Sequence, residues 1–177
     1  VASGETSQPV NPPQLPEKAA LQIRRSEIME RKRKLRDIED AVVARVTLAA
    51  EDRYLVKPKV AIRTGNGQTT FMMDALVQAL ESDDEPDLVL DVRVVRSEAG
   101  GNAINGIDKA IADSVRYRRL VGRPADPWVV VVVESARSDV RYRGTPESLR
   151  RRLGSRMVGG RVDVVMESDL GAWTPSL

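Results

Sequence analysis

Cysteine and histidine are both absent from the 177 residues. Without cysteine there is no disulfide, thiol nucleophile, iron–sulfur cluster or zinc ribbon; without histidine there is no Ser-His-Asp triad, His-ligated zinc or haem. Any metal depends on oxygen ligands, which points to Mg²⁺, Mn²⁺ or Ca²⁺. Aromatics are scarce, at 3%, so the core has to come from Val, Leu, Ile and Ala. No apolar run nears the roughly 18–20 residues that span a bilayer. The longest, Trp128 to Val133, stops at Glu134, and no membrane contact is expected within this segment. Neither sign of charge prevails, with 28 Lys+Arg against 26 Asp+Glu and a net charge of +2, so bulk charge alone designates no nucleic-acid partner. The chain opens on Val1 without a signal-peptide pattern, which reads as a domain of a longer protein in reducing, cytoplasmic surroundings.

The length fits one core with a tail. Three stretches are expected: a linker over 1–16, a long basic helix over 17–53, and an α/β domain over 54–177. The first carries Pro9, Pro12, Pro13 and Pro16 among small polar residues, too little apolar surface to order itself. The second has no Gly or Pro, and Leu21, Ile28, Leu35, Val42 and Ala49 recur seven apart, the spacing of one helix face. Up to Arg36 it carries five net positive charges, with Arg31, Lys32, Arg33 and Lys34 in a row. Such a stripe suits phosphates or an acidic partner, or is a solvated face or coiled-coil stalk through which two copies dimerise.

Beyond Pro58, Lys59 to Thr64 reads as a strand. Asn66-Gly67 predicts a tight hairpin with a type I′ turn. Residues 69–80 have helical spacing at Met73, Leu76, Val77 and Leu80, but the turn calls for an antiparallel strand. A helix there would give a Rossmann-like nucleotide-binding domain instead. After the acidic turn Glu81–Pro86 comes a strand, Leu88 to Val95, with Asp91 and Arg93 on one face and Leu88, Leu90, Val92 and Val94 on the other. Asn102 is placed to cap a helix from Ala103 to about Val121. Trp128 to Val133 reads as a central strand covered on both faces. Thr145-Pro146 starts a helix running to about Met157, and Arg161 to Met166 is the last strand.

This order brings Asp74 near Asp91 and Arg93 on one sheet, where two carboxylates can share a divalent cation beside a guanidinium, an arrangement suited to phosphodiester cleavage. Met73-Asp74-Ala75-Leu76-Val77, the acidic turn, and Asp87-Leu88-Val89-Leu90-Asp91-Val92-Arg93 resemble the signature of the PD-(D/E)xK nuclease superfamily. The resemblance covers roughly residues 35–134. It implies a restriction-endonuclease-like αβββαβ core with a mixed sheet, preceded by a long helix, and Mg²⁺- or Mn²⁺-dependent hydrolysis of nucleic acid. Asp74 and Asp91 would then be metal ligands, with Glu39 or Glu51 offering a further one.

Arg93 stands where the family has Lys, and a guanidinium holds phosphate better than it positions a water. The alternative is therefore a non-catalytic nucleic-acid-binding or protein-interaction module of the same fold, the sensor or effector end of a defence or regulatory protein. Duplex DNA is the expected partner, through Arg31, Lys32, Arg33, Lys34, Arg116 and Arg119. A second Arg concentration follows at Arg123, Arg141, Arg143, Arg150, Arg151, Arg152 and Arg156, with Tyr117 and Tyr142 available to stack on bases. Gly101-Asn102-Ala103-Ile104-Asn105-Gly106, at a helix start, and Gly65-Asn66-Gly67-Gln68 are weaker candidates for a phosphate-cradling loop.

Overall fold

The computed structural model describes residues 17–96, 101–134 and 145–177, with the backbone alone at 101 and 102. The elements run α1 (Glu17–Ala50), β1 (Tyr54–Arg63), β2 (Thr69–Ala79), β3 (Asp87–Val95), α2 (Gly101–Val121), β4 (Ala125–Val133), α3 (Pro146–Gly154) and β5 (Arg161–Met166), closed by a short 3₁₀ turn, Glu167–Asp169. This is an α/β fold with a long helix ahead of a five-stranded mixed sheet. The strands lie in sequence order, antiparallel from β1 to β3 and parallel from β3 to β5. Residues 69–79 are a strand, so the Rossmann-like alternative falls. Among the described residues no helix is long and apolar enough to cross a membrane.

The chain divides into two units after Lys34. In the first, residues 21–30 of α1 are exposed throughout, Leu21, Ile28 and Met29 included. In the second, Ile38, Val42, Val43 and Val46 bury the helical stripe against Leu90, Val92, Trp128, Val130 and Val132 on one sheet face. The opposite face meets Ala103, Ile107 and Ala110 of α2 and Leu149 and Leu153 of α3, packed on Val129, Val131 and Val133. Both helices are crossovers between parallel strands, and a consistent hand of crossover puts successive ones on the same side. Covered on both faces, β4 is free to be a continuous Val run.

Several boundaries differ from the sequence reading. The helix α1 ends at Ala50 rather than Arg53, and β1 begins at Tyr54. Pro58 falls inside β1, which tolerates it because β1 is an edge strand. The hairpin is present with another turn: Gly67 has φ +82° whereas Asn66 is not left-handed. The Gly67 amide donates to the Thr64 carbonyl, and the Thr64 amide donates to the Gln68 carbonyl. This is the three-residue loop with glycine in the left-handed position, not the two-residue type I′ turn. Thr145 caps α3 through a capping box with Ser148, and Pro146 needs no helical partner at its first position.

Candidate functional site

The site begins with a twist in the β1/β2 ribbon. Val56 on β1 and Ala75 and Val77 on β2 belong to the α1-facing cluster, whereas Val60, Ile62, Phe71 and Met73 join Leu76 and Tyr117 on the α2 side. The change of face falls at Lys59 and Asp74. Lys59 has φ +50°, a conformation that costs a residue with a Cβ about 1–2 kcal/mol. It turns the ammonium to a point 2.5 Å from Glu39 Oε2 of α1 and 3.8 Å from Asp74 Oδ1 of β2. Desolvation opposes the charge on Lys59, but Glu39 and Asp74 outweigh it and its pKa is raised.

The pairing of β2 with β3 ends at Ala75 and Leu90. Just beyond, the Val92 amide donates to Asp74 Oδ2 at 2.7 Å, so a carboxylate replaces the missing strand carbonyl. Asp91 points the other way, toward α2. It is 4% exposed; its Oδ2 accepts from Arg93 Nε at 2.6 Å and its Oδ1 from Lys109 Nζ at 3.1 Å. Lys109 also donates to Asp113 Oδ2 at 2.8 Å and to the Met72 carbonyl at 3.1 Å, stitching α2 across the gap where β2 and β3 diverge. Arg116 reaches the other oxygen of Asp113 at 3.4 Å. Burial pushes the Asp91 carboxyl up, against the pull of Lys109 and Arg93. Desolvation works against the Lys109 charge, and the two carboxylates more than offset it, so its pKa is raised.

Asp74 thus faces α1 through Lys59 while Asp91 faces α2 through Lys109. Of the two helix carboxylates, Glu39 shares the Lys59 ammonium with Asp74 and Glu51 is exposed past the helix end. The donor set does not fit a resident divalent cation as arranged. Both Asp91 oxygens already accept from cations, one Asp74 oxygen holds an amide, and among the described residues no three acidic groups gather to ligate a metal.

Lys32, Arg33 and Lys34 are exposed on α1, with Arg31 half-buried; Arg116 and Arg119 are exposed on α2. Arg123 is engaged elsewhere, with the fully buried Asp87 at 3.0 Å and with Asp83 at 2.5 Å. Tyr117 is corrected: it is 2% exposed and its hydroxyl donates to Asp87 Oδ2 at 2.7 Å, so no base can stack on it. Tyr142, Arg141 and Arg143 lie outside the described residues, as does the side chain of Asn102. Gly106 lies inside α2 rather than in a loop. Sequence reasoning missed Lys59 and Lys109; the helical offset of Lys109 from Asp113 was the available signal for the second.

No family model matches the chain, and no curated protein matches it. A solved structure of the restriction endonuclease FokI bound to DNA is similar over 76% of this chain and 25% of that one, at 9% identity and a TM-score of 0.39. The chain spans about a quarter of that protein's length.

Proposed function

We propose that this chain is a nucleic-acid-binding module of PD-(D/E)xK, restriction-endonuclease-like architecture whose acidic centre is neutralised by its own cations instead of a metal. Support for the architecture comes from the αβββαβ order, the mixed sheet, and the positions of Glu39, Asp74 and Asp91-Val92-Arg93 on the helix and strands where the family carries its signature. The observation that carries the non-catalytic reading is Asp91, held between Arg93 at 2.6 Å and Lys109 at 3.1 Å. Each oxygen of this carboxylate already faces a cation, so a divalent ion drawn to it would be repelled by both and would have to displace one from a largely buried pair, which is costly.

Backbone phosphates of duplex DNA are the proposed ligand; Arg31, Lys32, Arg33 and Lys34 are the candidate contacts in the first unit, and Arg116 and Arg119 on α2 are those in the second. Contacts of this kind are independent of sequence and weaken with salt.

The test is to incubate supercoiled plasmid and labelled duplex with wild type and Asp74→Ala, with Mg²⁺, with Mn²⁺ and with chelator. Binding that is salt-sensitive and unchanged by chelator, without cleavage, is expected. Metal-dependent cleavage lost in Asp74→Ala would replace this reading with an active nuclease, and absence of binding would leave the protein-interaction module.

A further inference from the structure

Arg93 lies where α2 comes nearest to β3. A Cβ built on Gly106 would sit 2.5 Å from Arg93 Cγ, 2.7 Å from Nε and 3.0 Å from Cδ. Those atoms are the stem of the side chain rather than its free end, so any larger residue at 106 forces Arg93 out of this rotamer and off Asp91. Glycine within a helix is unfavourable to the helix itself, and no left-handed conformation is required of it at 106. What the glycine provides is room for the arginine.

The seat thus made presents the guanidinium in one orientation. Asp91 Oδ2 takes Nε, and Lys109 takes Asp91 Oδ1, so the carboxylate makes no demand on the terminal nitrogens. Among the described residues Nη1 and Nη2 have no partner, and the side chain is 32% exposed. Lys109 and Arg116 are likewise committed to Asp91 and Asp113, so within this cluster the free donors are those of Arg93. A planar fork with its two terminal nitrogens free fits a single tetrahedral oxyanion, which it can bind bidentately.

We propose that Gly106 is a positioning residue, holding Arg93 against Asp91 with its terminal nitrogens outward as a metal-independent receptor for one phosphodiester group of nucleic acid. This rests on the nucleic-acid-binding reading above and adds to it the contact and the residue that builds it.

The test measures binding of a fluorescent DNA duplex in chelator across a salt series for wild type, Arg93→Ala, Gly106→Ala and the double variant. Each single variant is expected to bind roughly tenfold more weakly and to lower the slope of log affinity against log salt by about one, the loss of a single phosphate contact. Because Gly106 acts through Arg93, the double variant should bind no more weakly than Arg93→Ala. Wild-type affinity in Gly106→Ala, or additive losses in the double variant, overturns the proposal. Should Gly106→Ala fail to fold, the Arg93 Nε–H resonance of the wild-type chain is followed as duplex is added: movement supports the contact, and a stationary resonance overturns it. Duplex binding by wild type that Arg93→Ala leaves untouched refutes this proposal alone, while a wild type that binds no duplex refutes the underlying reading with it.

Discussion

The Val92 amide donates to Asp74 Oδ2 at 2.7 Å, just past the last pair of the β2–β3 ladder, Ala75 with Leu90. The carboxylate that the sequence offers as a metal ligand therefore already has a structural task. Val92 is 5% exposed, so its amide has little recourse to water once that oxygen is removed. Asp74→Ala is expected to cost about 1–3 kcal/mol, the penalty of an unsatisfied buried donor. Asp74→Asn, which keeps an accepting oxygen, should cost less. Urea unfolding of the two variants beside wild type checks this, and equal stability of all three would refute it.

Alkaline pH should loosen the fold through four groups at once. Tyr54 and Tyr117 are raised above 10.0, the first mainly by its hydrogen bond to Glu85 and the second by burial and then Asp87. Lys59 and Lys109 are raised above 10.5 by their carboxylates in spite of desolvation. A group that holds its proton more tightly when folded contributes stability that is complete below the unfolded value and is lost as pH climbs through the folded one. The urea midpoint is thus expected to fall above about pH 10. Tyr117→Phe, less stable at neutral pH, should show a shallower fall. A parallel decline in the two proteins would assign the effect to the other three groups.

Lys109→Met should act in the opposite pH direction. It leaves Asp91 and Asp113, both nearly inaccessible, facing one another without their shared ammonium. Because the Lys109 side chain is itself 40% exposed, screening reduces the expected loss at neutral pH to about 1–3 kcal/mol. The Asp91 carboxyl, already raised by burial, rises further once that ammonium is gone. A folded value above the unfolded one favours the native state as pH falls through the carboxylate range. The deficit of Lys109→Met relative to wild type should accordingly shrink on acidification, and a deficit constant from neutral to acid pH would contradict the assignment.

Much of the scaffold was legible in the residues. The Val run of β4 could only be a strand covered on both faces, and the Asn66-Gly67 turn decided for a strand over 69–79 where apolar spacing was ambiguous. Period two put Asp91 and Arg93 on one face of β3, and they are paired there. The reading failed where local pattern carries no information about what lies across the fold. Tyr117, lying among arginines, looked like a stacking platform, yet it points inward to the buried Asp87, whose sequence separation of 30 hides the pair. Gly106 reads as part of the helix that starts at Ala103, but nothing in the local pattern tells that the stem of Arg93 fills the space beside it.

By itself, then, the sequence determined the kinds of chemistry open to this protein and the order of its elements. With no cysteine or histidine, only oxygen ligands, arginines and lysines are left to work with, and hydrophobic periodicity with turn chemistry sets the strands and helices. Tertiary structure decided which charges meet. Strand alternation gives Asp74 and Asp91 positions in their strands, but the twist at Lys59 sends one carboxylate toward α1 and leaves the other under α2. That choice depends on backbone dihedrals and helix packing, and it puts Lys59 and Lys109 where the spacing of the acidic residues had suggested a metal.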